Sequence, residues 1–154
     1  MEVTRRVATL HDVDAIAAMG ERFRASTEYA ARVPANLDQM RALAERIITS
    51  PDGVIAVAES DHALVGMLAA IVYTHHISGR RVAGEIAWWV DPEIRGTVGV
   101  RLLKDIERWA RKRGAETLEM IAPSPYIEAI YSLLGYEPVE RTYQKALRGG
   151  SNDD

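Results

Sequence analysis

The run Val90-Asp91-Pro92-Glu93-Ile94-Arg95-Gly96-Thr97-Val98-Gly99-Val100-Arg101-Leu102-Leu103 carries the residue types best suited to gripping an anion. A strand is predicted to end at Pro92. A short turn then brings one arginine and two glycines, and an apolar-periodic helix follows. Strand, glycine turn and helix start together present unpaired backbone N–H groups and the positive end of a helix dipole. Phosphate oxygens are well matched to such a place. Arg95 and the stretch Gly96, Thr97, Val98, Gly99, Val100 and Arg101 are therefore the candidates for holding a phosphate-bearing ligand. Arg101 can pair with a phosphate or stay solvated on the helix.

Other chemistries find less support. The chain has no cysteine, which removes thiolate nucleophiles, thiolate metal sites and disulfides, and which fits a cytoplasmic protein. His75 and His76 are adjacent near a hairpin end. Neighbours on a strand point to opposite faces, so they make a poor metal pair, and no metal is expected. A net charge of −3 gives no support for nucleic-acid or membrane-surface binding. The longest apolar candidate, Ala63 to Tyr73, falls short of the ~18 residues a membrane span needs. Arg5 and Arg6 are not followed by the apolar core of a signal peptide.

The elements that must position the anion site follow from periodicity. With 154 residues, 47% apolar and 27% charged, the chain suits one domain, 1–147, followed by a polar, glycine-rich flexible tail, 148–154. Val3 to Thr9 reads as a strand. Asp12 or Thr9 caps a helix over about 12–25, with Val13, Ile16, Ala17, Gly20 and Phe23 inward. A helix over about 37–49 carries Leu37, Met40, Leu43, Ala44 and Ile47, and Ser50-Pro51-Asp52-Gly53 turns the chain. Strands over Val54 to Ala58, Leu64 to Tyr73 and about Val82 to Val90 form an antiparallel meander. The helix from about Val100 to Arg113 has an apolar stripe of Leu102, Leu103, Ile106, Trp109 and Ala110, and Gly114 stops it. A strand at Thr117 to Ala122, reached through that helix, is expected to run parallel to the one before. A short helix to about Leu134 and a last strand, about Val139 to Leu147, complete the order β-α-α-β-β-β-α-β-α-β. This is a mixed α/β (α+β) sheet with helices on both faces.

Order and motifs together resemble the GCN5-related N-acetyltransferase (GNAT) superfamily over about 3–147. Trp88 to Gly96 is similar to the family's fourth strand and the start of its pyrophosphate loop. The helix from Leu102 to Gly114 and its following strand fit next. Ala129 to Val139, with Tyr131 ahead of Leu134-Gly135-Tyr136, is similar to the family's late tyrosine pattern. The loop departs from the family's Arg/Gln-x-x-Gly-x-Gly/Ala form. It is one residue shorter, Gly99 matches the last small residue, and Thr97-Val98 stand where the middle glycine would be. Some phage-encoded and prophage-like members also depart from the glycine-rich form, and the chain resembles those most.

The resemblance implies a mostly antiparallel sheet with a splayed central parallel pair and about four helices on both faces. It implies acetyl-CoA as co-substrate, with backbone groups of Trp88, Trp89 and Val90 holding the pantetheine arm and the loop holding the pyrophosphate. Alternation sends Trp88 and Trp89 to opposite faces, so one packs in the core and one lines the cleft. Tyr131 matches the family's general acid, with Tyr126 the alternative. A phenol with a pKa near ~10 can protonate a departing thiolate. Glu85 is the base candidate, although simple alternation puts it on the face opposite Val90 unless a bulge intervenes. The acceptor amine is expected at the first two helices and their connection, about Phe23 to Gln39, where Glu21, Glu28 and Tyr29 could attract it. Trp88, Trp89 and Leu68 could limit the acyl pocket. Relatives are often dimers joined at sheet edges or by exchanged C-terminal strands, and an exposed last strand would permit a homodimer. Two other readings stand beside the N-acetyltransferase: a non-catalytic acyl-CoA-binding module, and an interaction domain that has lost the cofactor.

Overall fold

The computed structural model describes residues 2–148, so the expected tail lies, but for Arg148, outside the described residues. The chain divides into two compact units, one up to Ile121 and one from Ala122 onward.

The first unit is built on a five-stranded sheet in the order β1-β2-β3-β4-β5. β1 (Thr4–Val7), β2 (Gly53–Ser60), β3 (Ala63–Thr74) and β4 (Arg81–Val90) pair antiparallel, and β5 (Leu118–Glu119) runs parallel to β4. Helices α1 (Val13–Ala25), α2 (Tyr29–Arg32) and α3 (Leu37–Thr49) separate β1 from β2, and α4 (Thr97–Lys112) joins β4 to β5. Inward residues of α1 and α3, among them Val13, Ile16, Met19, Ala44 and Ile47, pack with Ile55, Val57, Met67, Ala69 and Trp89 on one face of the sheet. Ala110 of α4 packs with Val72 and Ala83 on the other. The alternation of apolar side chains along β3 and β4 feeds both layers, as a sheet covered on both faces requires.

Local signals explain the boundaries. Asn36 Oδ1 accepts from Gln39 N at 3.0 Å, which caps α3 one residue before its predicted start. Thr9 and Asp12 both take part at the entry to α1: Asp12 Oδ2 accepts from Thr9 N at 2.8 Å, and Asp12 N donates to Thr9 O at 3.0 Å. Asp12 is buried and is held by a fork from Arg6, whose Nη1 and Nη2 reach its oxygens at 2.8 and 2.9 Å. Arg6 also reaches Glu59, so the network ties β1, β2 and the start of α1.

Three expectations need correction. α4 begins at Thr97 rather than Val100, because Gly96 makes the turn early and the apolar stripe needs no delay. β5 spans two residues, not the six of Thr117 to Ala122, because its pairing with β4 ends at Gly84 and Glu119. No strand forms over about 139–147. A strand needs a neighbouring strand to pair with, and within its own unit the only described helix or strand is α5 (Pro125–Leu133), capped by Ser124. Val139, Tyr143 and Leu147 are exposed.

The Arg6 fork is the first cause that holds the Asp12 carboxyl down to about 2, against an ordinary 3.8. A carboxyl whose pKa is lowered by folding contributes stability that is present above its unfolded value and is lost as pH falls through its folded value. With Arg6 partly open to solvent, this contribution is about 1–2 kcal/mol. Wild-type stability, followed by urea unfolding, is expected to fall between pH 4 and pH 2 more steeply than that of Asp12→Asn.

Candidate active site

The site grows from the end of β4. Ala69 pairs with Ala87 and Ala70 pairs with Glu85, so Ile86 is the extra residue of a β-bulge. The bulge shifts the phase of the strand. By register Glu85 stands on the face shared by Ala70, Leu68 and Trp88, the side on which Val90 also lies. This is the bulge that a role for Glu85 beside Val90 required.

At the same point the β4–β5 ladder stops. No ladder pair joins β5 to β4 beyond Gly84 and Glu119 among the described residues. Glu85 Oε2 instead accepts from Ile121 N at 2.9 Å, so a carboxylate takes over the amide that the ladder gives up. Tyr73 on β3 reaches across β4 and donates from its hydroxyl to Glu119 Oε2 at 2.8 Å. Gly84 makes the crossing possible, since a methyl group there would lie 3.2 Å from Tyr73 Cε1. Two side-chain bonds thus fix where the strands part.

The two tryptophans divide as alternation predicts. Trp89 is 7% exposed and packs in the layer under α1 and α3. Trp88 lies on the α4 side. A methyl group on Gly99 would be 3.2 Å from Trp88 Cζ2 and 3.5 Å from Val90 Cγ2. Gly99 is thus buried in the first turns of α4, where its missing side chain lets the helix N-terminus settle onto β4. Leu68, paired with Trp88, is fully buried and so lines no open pocket.

Between β4 and α4 the chain makes a single 3-10 turn, Pro92–Ile94, and then reverses at Gly96 with φ +128°. Side-chain-bearing residues rarely adopt that conformation. Gly96 is also the cap of α4 and contributes no side-chain bond to it, and the first turn contains no acidic residue. The amides of Gly96, Thr97, Val98 and Gly99 are the four that an α-helix with this N-cap leaves without an internal partner. Arg95 is exposed and sits over the Trp89 ring, its Cζ 5.9 Å from the ring centroid. Arg101 is exposed on the helix. This end of the helix can bind an anion through backbone N–H groups and the dipole, with Arg95 adding charge.

The remaining candidates are placed as follows. Glu21 accepts from Arg24 at 2.8 Å with both oxygens, so that carboxylate is engaged within α1. Arg24 also donates to the carbonyls of Ala30 and Val33, which folds the segment after α1 back along the helix. Tyr29 packs on Phe23, and Glu28 is exposed. His75 and His76 do not point apart: their rings stack 4.8 Å from each other, because β3 ends at Thr74 and strand alternation no longer applies. Among the described residues no group of three or more His, Cys, Asp or Glu is placed to hold a metal. In the second unit, Tyr131 is a buried residue of α5 with its ring 5.5 Å from that of Tyr136, while Tyr126 is largely exposed.

Sequence reasoning passed over two residues here. Asp91 Oδ1 accepts from Trp89 Nε1 at 2.7 Å and from Arg22 Nε at 3.1 Å. The signal was an acid at the threshold of an anion-binding turn, a charge that needs a cation nearby. Periodicity could not reveal that the cation comes from α1.

The comparisons agree with this geometry. Residues 18–136 match the model of the acetyltransferase (GNAT) family. No curated protein matches the sequence. Among solved structures, a predicted acetyltransferase with acetyl-CoA from Clostridium acetobutylicum has a TM-score of 0.80 at 14% identity, over 95% of this chain and 97% of its own. Aminoglycoside N-acetyltransferase AAC(6')-Iy in complex with CoA has a TM-score of 0.77 at 17% identity, over 96% of each chain. Glucosamine-6-phosphate N-acetyltransferase from Arabidopsis thaliana has a TM-score of 0.76 at 12% identity, over 96% of this chain and 99% of its own. At such identities the likeness is one of fold. With the family model spanning most of the chain, the mixed sheet, the parting of β4 from β5 and the glycine-turned start of α4 find their common explanation: the chain belongs to the acetyltransferase (GNAT) family.

Proposed function

We propose that the chain is an acetyl-CoA-dependent N-acetyltransferase that moves the acetyl group directly to an amine in a ternary complex. The observation that carries this reading is the N-terminus of α4, without a side-chain cap, resting on Trp88 and Val90 of a strand whose ladder with β5 stops at Gly84 and Glu119. A strand released from its ladder suits an extended pantetheine arm along Trp88, Trp89 and Val90. The helix start and the Arg95–Arg101 stretch suit the pyrophosphate. The family match spans both units, and in this reading residues 1–147 work as one domain.

In the reaction the amine nitrogen attacks the thioester carbon, and the C–S bond breaks as the amide forms. Glu85 takes the amine proton, directly or through a water. Tyr131 gives its phenolic proton to the leaving thiolate and is reprotonated from solvent. No covalent enzyme intermediate is needed, so the absence of cysteine is no obstacle. Names among the structural relatives, an aminoglycoside, a glucosamine-6-phosphate and a ribosomal-protein-alanine N-acetyltransferase, support an amine acceptor, whether a small molecule, a peptide N-terminus or a lysine side chain. A homodimer remains part of this reading.

One observation favours a binding module instead. The Glu85 carboxylate accepts from Ile121 N, a structural duty that could be its whole role. Glu85→Gln separates the two, since a glutamine oxygen still accepts from that amide but cannot act as base. The transferase reading expects kcat to drop by about 10²-fold or more, with CoA binding intact. Unchanged turnover would leave Glu85 as structural only.

Calorimetric titration with acetyl-CoA and with CoA tests the cofactor site itself. Both should bind. Gly96→Ala forces a side chain into φ +128°, a strain of roughly 1–3 kcal/mol, and should weaken CoA binding by about tenfold. The absence of wild-type binding at millimolar ligand would sink the transferase reading. With an acceptor found by an amine screen, Tyr131→Phe should lower kcat by about 10²-fold or more and leave CoA affinity alone. A Phe variant as active as wild type would remove Tyr131 as the acid.

A further inference from the structure

Asp91 stands between the end of β4 and the turn that leads to α4, and it is tightly held. Its backbone N–H donates to Val65 O at 2.8 Å, and its carbonyl accepts from Ile94 N at 2.9 Å. Its Oδ1 receives the indole N–H of the buried Trp89 at 2.7 Å. A buried indole donor needs an acceptor, so an oxygen at this position serves the core. A carboxylate, however, brings a negative charge to the approach of the α4 N-terminus. That charge opposes any anion bound there, and the exposed turn screens it only in part.

Arg22 answers this charge. It comes from the last turn of α1, far away in sequence, and its Nε and Nη2 reach Asp91 Oδ1 and Oδ2 at 3.1 and 3.4 Å. The guanidinium fork fits both oxygens, which an ammonium could not do with the same geometry. Arg95 lies over the opposite partner of the same carboxylate, the Trp89 ring. Asp91 thus links a cation from α1 to the ring that carries the cation of the turn.

We propose that Arg22 is a positioning residue of the cofactor site, cancelling the Asp91 charge so that the α4 N-terminus stays attractive to the CoA pyrophosphate. The proposal rests on the reading of that terminus as the pyrophosphate site. It explains why an acid is tolerated at the threshold of an anion-binding turn, and it gives α1 a stake in cofactor affinity.

The test is a CoA titration by calorimetry on the full chain at low and high salt. Arg22→Gln should bind CoA roughly three- to tenfold more weakly at low salt, and the deficit should shrink at high salt. Asp91→Asn keeps an oxygen for the Trp89 indole and should bind at least as tightly as wild type. The double variant R22Q/D91N leaves the pair without net charge, as in wild type, and should recover the wild-type affinity. Arg22→Lys keeps the charge without the fork and should stay near wild type. Thermal unfolding of each variant separates loss of fold from loss of affinity. An Arg22→Gln protein that binds like wild type, a double variant as weak as Arg22→Gln, or an Arg22→Lys protein equally weak would each overturn the proposal. Failure of the wild-type chain to bind CoA would instead remove the cofactor reading beneath it.

Discussion

Everything at the site depends on how one edge of β4 satisfies its backbone. A parallel partner would continue the ladder along the strand. Here the ladder stops after Gly84 and Glu119, and the Ile86 bulge marks the place. The bulge alone would leave polar groups of β5 without partners. The Glu85 carboxylate takes the Ile121 amide, and the Tyr73 hydroxyl takes Glu119, so the parting of the strands is held by named bonds instead of left to chance. With the branch point fixed, the phase of β4 is fixed too. Trp89 turns into the layer under α1 and α3, and Trp88 turns under Gly99 of α4. The position of the helix N-terminus follows from that contact.

Stability and chemistry are therefore layered in this unit. The α1–α3 face buries Met19, Ile55 and Val57 almost completely and is closed by the Arg6–Asp12–Glu59 network. The α4 face buries Leu102, Leu103 and Ile106 just as completely. At the β4–α4 junction the packing thins to Gly99, whose missing side chain makes room for Trp88 and Val90.

Much of this was legible in the sequence, because the signals were local. α3 appears at its bounds because Leu37, Met40, Leu43, Ala44 and Ile47 recur at helical spacing and Ser50-Pro51-Asp52-Gly53 turns the chain after it. The opposite faces of Trp88 and Trp89 follow from alternation, and the turn into α4 from its glycine. What stayed hidden was non-local. The bulge at Ile86 has no residue signature, so the face of Glu85 could not be read. Tyr73–Glu119 and Arg22–Asp91 join residues distant in sequence, and no periodicity announces them. The last strand failed for the converse reason: a run such as Val139 to Leu147 shows strand propensity, but a strand is a property of two segments and not of one.

Helix α4 is charged unevenly at its two ends. Arg111 and Lys112 close its C-terminal end with positive charge, while its N-terminal turn has neither an acid nor a capping side chain. The negative pole of the helix is connected, and the positive pole is left as an open terminal. The helix resembles a cell wired at one end only, with its potential directed outward through Gly96 for whatever anion completes the circuit.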